Sequence, residues 1–124
     1  MPAREWRLRI SDILQSISKI SGYTQGMDFE TFRGDSKTVD AVVHNLAIIG
    51  EAAANVPDEI ASGHPEIPWR IMKAFRNVIV HEYFGVTLDI VWQTVRKDLP
   101  TLVGPLQRLL DQDQDGPREM ISRA

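Results

Sequence analysis

The stretch SKTVDAVVHNLAIIGEAAAN, residues 36–55, decides the fold class. Val39, Val42, Val43, Leu46, Ile49, Gly50 and Ala53 recur at three- and four-residue intervals, so on a helix they make one continuous apolar stripe. Asp35 or Ser36 supplies the N-cap, because either side chain can accept a bond from the free amides of the first turn. Pro57 stops the helix near Asn55. Ala41, Ile48 and Ala52 form a weaker apolar strip on the opposite side, open to solvent or to a partner chain. His44, Glu51 and Asn55 share a polar face that reads as solvated.

The same period extends in both directions. From Arg4 to Ile20, Trp6, Ile10, Ile13, Leu14, Ile17 and Ile20 predict an amphipathic helix that ends at Gly22. Residues 23–35 are looser, with one short helical turn around Asp28 to Phe32. Pro57, Gly63, Pro65 and Pro68 make residues 56–68 a loop, and a third helix follows from Pro68 or Trp69 to about Phe84, stopped by Gly85. Val78, Ile79 and Val80 favour strand locally, but the longer pattern is helical. Thr87 caps a fourth helix with Leu88, Val91, Val95 and Leu99. A break near Asp98 starts a further one with Leu102, Leu106, Leu109 and Leu110, kinked at Pro105. The run from Asp111 to Pro117 is polar and turn-rich, so residues 111–124 are expected to be a disordered tail. The expectation is an all-α domain of four to five helices over residues 1–110.

Composition narrows the function. The chain has 124 residues, enough for one core and too few for two ordinary domains. No stretch approaches the roughly 20 apolar residues of a bilayer span. The charged N-terminus lacks the pattern of a secretory signal, which makes a cytoplasmic protein the expectation. Cys is absent, removing disulfides, thiolate nucleophiles and Cys-based zinc sites together. The net charge of −3 weighs against general coating of nucleic acid. The charge is uneven, however: residues 24–66 hold eight acids against Arg33 and Lys37, whereas residues 68–81 hold Arg70, Lys73 and Arg76 and no acid. Arg70 and Lys73 are therefore candidate phosphate contacts on a local basic face.

On a wheel of about 100° per residue, Ile71, Met72, Phe75, Val78 and Ile79 fall on one side of the third helix. Trp69, Arg70, Lys73, Arg76, Asn77, Val80, His81, Tyr83 and Phe84 fall on the other. Arg76 and Tyr83, seven apart, nearly superpose, and Asn77 and His81 share the adjacent ridge. These four can meet one small anion. A neutral-pH proton carrier beside a fork of cationic donors suits phosphodiester cleavage. With no obvious carboxylate cluster for Mg²⁺, attack by the 2′-hydroxyl of RNA is the simplest route, needing neither metal nor cofactor and leaving a cyclic phosphate. Taken singly, each residue also has a structural reading: His81 as a helix C-terminal partner, Arg76 as a surface cation, Tyr83 as an aromatic at the rim of the core. His64 sits in the Pro-rich loop with no chemical role expected.

The string from Arg76 to Tyr83, RNVIVHEY, resembles the motif of the HEPN superfamily: Arg, a polar residue, three spacers, then His. With Tyr two residues further on, it is similar to the extended signature of HepT-like toxins. NLAIIGEAA (residues 45–53), HPEIPW (64–69), FGV (84–86) and DIVW (89–92) match in the same way, so the resemblance spans about residues 4–110. It implies an up-and-down helical bundle that forms a homodimer, with two motif helices flanking a shared cleft. It implies Arg76 and His81 as the catalytic pair and Asn77 as the residue that orients the phosphate or His81. Tyr83 would be the hydroxyl to which a minimal nucleotidyltransferase antitoxin attaches AMP, a bulky anion that would compete with RNA for Arg76. Two other readings stay open: a non-catalytic helical module holding a nucleotide or partner enzyme, and a purely structural bundle.

Overall fold

The computed structural model describes residues 3–77 and 88–123, and these are helical throughout apart from short connections. Helix α1 (Ala3–Thr24) buries Trp6, Ile10, Ile13, Ile17 and Ile20, spaced alternately by four and three, while Leu14 is partly buried at the edge of that stripe. Gly22 does not end it. Thr24, itself buried, closes the last turn by donating from Oγ1 to the Ile20 carbonyl at 2.9 Å. The chain turns at Gly26 instead, whose φ of 76° is the left-handed conformation that glycine adopts without penalty.

Two short helices, one where a single helical turn was expected around Asp28 to Phe32 and one in the segment 56–68 read as loop, give more helical elements among the described residues than the four to five expected. Helix α2 (Phe29–Gly34) starts on Asp28, whose carboxylate accepts from the Thr31 N–H at 2.8 Å, and it plants Phe32 in the core against the ring of Trp92. A six-residue helix is too short to show a period, so the sequence marks it as no more than a single turn. Helix α3 (Ser36–Ala54) is capped by Asp35, which accepts from the Thr38 N–H at 3.1 Å and from the Thr38 hydroxyl at 2.9 Å. All seven residues of its apolar stripe are buried. Ala52 is also buried within the chain, so the weaker strip opposite is not free for a partner along its whole length; Ala41 and Ile48 are half-buried. Helix α4 (Asp58–Ser62) follows Pro57, with Asp58 and Glu59 favourably placed at its positive N-terminus.

Helix α5 (Trp69–Ala74) passes directly into a 3₁₀ turn at Phe75–Asn77. The continuation expected to Phe84 lies outside the described residues, as do the Gly85 stop and the Thr87 cap. Helix α6 (Leu88–Gln93) widens into a π turn at Thr94–Asp98 before α7 (Leu99–Arg123). The wide turn sits where the sequence places a break, and Pro100 accounts for it. Its ring has no N–H for the Arg96 carbonyl and crowds that oxygen, so one extra residue is taken into the turn, and Leu99 N–H reaches back to the Thr94 carbonyl. The backbone of α7 continues as helix past Pro105 to Arg123.

α1 packs against both α3 and α7, and α5 packs against α3. The result is an all-α bundle whose core joins the stripes of α1 and α3 to Met72 and Phe75, to Val91 and Val95, and to Leu99, Leu102, Leu106 and Leu109 of α7. Among the described residues, no helix is long and apolar enough to cross a membrane.

Candidate active site

Helix α5 is fixed before it presents anything to solvent. The indole N–H of Trp69 donates to the His64 carbonyl at 3.0 Å, which satisfies the polar edge of the ring and lets it bury with 8% exposure. Met72 and Phe75, three and six residues on, complete a buried ridge. This revises the sequence division of the helix at two residues. Trp69 faces the core rather than the cationic side, and Ile71, expected in the core, is 56% exposed. A wheel of uniform α geometry could register neither the hydrogen bond that frees the indole to bury nor the tightening at Phe75, which favours a repeat of three.

Arg70, Lys73 and Arg76 repeat the same spacing one position along, forming a cationic ridge beside the buried one. Arg70, Arg76 and Asn77 are exposed and Lys73 is partly so. His64 is half-buried, and its Nδ1 lies 3.4 Å from a Glu66 carboxylate oxygen. His81 and Tyr83, which carry the proton-transfer and modification expectations, lie outside the described residues.

The position of Arg76 is set by α3. A Cβ placed on Gly50 would lie 2.6 Å from the Arg76 backbone nitrogen, 3.0 Å from its Cβ and 3.1 Å from the Lys73 carbonyl oxygen. The two backbones therefore meet at a point that only a residue without a side chain allows. The next residue, Glu51, places Oε2 3.4 Å from Arg76 Nη1, with both side chains well exposed. Asn55 Nδ2 donates to the Glu51 carbonyl at 2.8 Å. Sequence reading left Glu51 on a solvated face and Gly50 in the apolar stripe. The available signal was the glycine itself, placed mid-helix among buried residues where it lowers helix stability unless a backbone needs the space.

A groove of about 780 Å³ opens elsewhere, between the second half of α1 and the π turn with α7, and is lined chiefly by Leu14, Ile17, Leu99 and Val103. None of Arg70, Lys73, Arg76 and Asn77 borders it. Among the described residues, no three His, Asp or Glu side chains gather as a metal site would require.

A helical bundle in which Arg76, at the start of the arginine-led motif, is seated by its backbone against α3 agrees with the architecture of a HEPN-type nuclease. Comparison with known proteins places the chain more narrowly: residues 13–109 match the family model described as "Ribonuclease HepT-like", and the chain belongs to that family. It is classed as a ribonuclease on that ground. A protein of Thermococcus cleftensis named "Probable ribonuclease HepT" is 43% identical over 100 residues, covering 81% of this chain and 91% of that one. A candidate RNase of Methanocaldococcus jannaschii is 33% identical over 110 residues, covering 89% and 91%. Another, from Caldanaerobacter subterraneus, is 34% identical over 105 residues, covering 85% and 94%. No solved structure matches the chain.

Proposed function

We propose that the chain is the endoribonuclease toxin of a toxin–antitoxin system, acting on RNA as a homodimer without a metal. The observation that carries this reading is the placement of Arg76: anchored by its backbone to α3, exposed at its guanidinium, and last in a ridge of three cations in a chain of this family. The guanidinium donates to non-bridging phosphoryl oxygens and offsets the charge that grows on them during attack. The 2′-oxygen bonds to phosphorus and the bond to the 5′-oxygen breaks. His81 serves as the group that takes the 2′-hydroxyl proton or delivers one to the departing 5′-oxygen, and a dimer brings two copies of it to one cleft. Asn77 orients the phosphate or His81, and Arg70 and Lys73 hold flanking phosphates.

The partner in this reading is a minimal nucleotidyltransferase antitoxin. It transfers AMP from ATP to Tyr83, the phenolic oxygen displacing pyrophosphate, and the added anion occupies the donors that RNA needs.

Incubating the purified chain with RNA, with excess chelator present, is expected to yield 2′,3′-cyclic phosphate ends. Arg76→Ala and His81→Ala should each abolish them while remaining folded and dimeric. Cleavage at the parental rate by either variant would refute the assignment. A second reading, a non-catalytic module that binds a nucleotide or partner enzyme, is favoured by the net charge of −3, and a complete absence of cyclic-phosphate ends from the parent would select it.

A further inference from the structure

We propose that Glu51 is a positioning residue for Arg76, holding the guanidinium in the orientation in which it meets the RNA phosphate; this rests on the reading that Arg76 binds that phosphate. Three features of the contact support it. First, the approach is built rather than incidental: Gly50 lets α3 touch the Arg76 backbone, and Glu51 is the adjoining residue on that helix. Second, the contact is one-sided. Among the described residues, a single carboxylate oxygen lies 3.4 Å from Nη1, whereas a guanidinium carries five N–H donors, so this contact leaves the donors on Nη2 and Nε for an incoming phosphoryl group. A carboxylate seated on both forks would instead compete with the phosphate. Third, the arginine stem is long and half exposed, and free rotation would spread the guanidinium over many orientations, few of them productive.

Glu51 exchanges no proton in this role; it supplies an acceptor and a charge. The two contributions separate in kinetics. The acceptor fixes geometry and so acts on kcat, whereas the negative charge disfavours the arriving RNA and so raises KM. Glu51→Ala removes both. It is expected to lower kcat about fivefold, the upper range for an exposed pair, with KM equal to or below that of the parent. Glu51→Gln keeps an acceptor for Nη1 without the charge, so it should retain most of kcat and lower KM. A role confined to helix stability predicts no such split and shows as a shift in Tm, which is recorded for each variant.

Steady-state cleavage of a short RNA by the full chain and by Glu51→Ala, Glu51→Gln and Arg76→Ala decides the matter. Parental kcat in Glu51→Ala, beside an inactive Arg76→Ala, overturns the positioning role and leaves the nuclease reading standing. A loss in Glu51→Gln as deep as in Glu51→Ala also overturns it, because the retained acceptor then does nothing. Parental cleavage by Arg76→Ala removes the reading beneath it.

Discussion

Asp28 and Asp35 begin two successive helices with the same chemistry. At Asp35 the Thr38 backbone N–H, followed by the Thr38 hydroxyl, holds the carboxyl below its ordinary value of 3.8; at Asp28 the Thr31 backbone N–H and then its side chain do the same. Both are depressed in the folded state, so their contribution is complete above the unfolded pKa and disappears as pH falls through the lower, folded one. Tm should therefore decline on acidification from about pH 5 to about pH 2. Asp35→Asn, whose amide oxygen still accepts from Thr38 N–H but does not titrate, should show a shallower decline. If the parent and Asp35→Asn gave parallel Tm curves over that range, the Asp35 cap would not be the titrating contact. Asp35 was one of the two candidates, with Ser36, that the sequence offered for the N-cap of α3, because Ser, Asp and their like accept from free backbone amides in a known way. The partnership of Arg76 with Glu51 was not legible: the two are separated by the whole of α4 and its flanking loops, and sequence spacing gives neighbours only within one helix.

Between elements, the contact of α3 with Lys73 and Arg76 sets the backbone of the proposed site. Gly50→Ala would force its Cβ against backbone atoms of Arg76 and Lys73, which cannot rotate away as a flexible side chain would. The gain in helix propensity, about 1 kcal/mol, is opposed by an overpacking cost of about 1–3 kcal/mol. A net destabilisation of about 1 kcal/mol is expected, with RNA cleavage falling further, by up to about 10²-fold, because Arg76 moves relative to its target. Gly22→Ala is the control: nothing lies within 4 Å of that Cβ and the backbone is already helical, so stability should hold or rise. Denaturant midpoints for both, beside cleavage rates, test this; a Gly50→Ala as stable and active as Gly22→Ala would mean that the helices do not meet so closely. The long helices α1 and α3 were readable because each repeats its apolar spacing over several turns. The core face of α5 was misassigned at Trp69 and Ile71 because six residues and a change of helical pitch leave the phase of a wheel undetermined.

Across the whole molecule, the acidic balance and the cationic ridge make separable predictions about RNA. Salt dependence counts the phosphates a site neutralises, not the net charge of the protein, and each neutralised phosphate of a single strand contributes a slope of about −0.7 to log K against log[salt]. If Arg70, Lys73 and Arg76 each take one phosphate, a protomer should bind short single-stranded RNA with a slope of about −2 despite its net charge of −3. Binding is best measured with His81→Ala, which in the proposed mechanism holds RNA without cutting it. Adding Lys73→Ala should weaken binding and shorten the slope by about 0.7, whereas Lys19→Ala, exposed on α1, should leave the slope unchanged. Equal effects from the two lysines would show that RNA is drawn to the protein's diffuse charge and not to the ridge on α5. A slope near zero would show that no phosphate is neutralised there, leaving Arg76 to be explained by its contact with Glu51 alone.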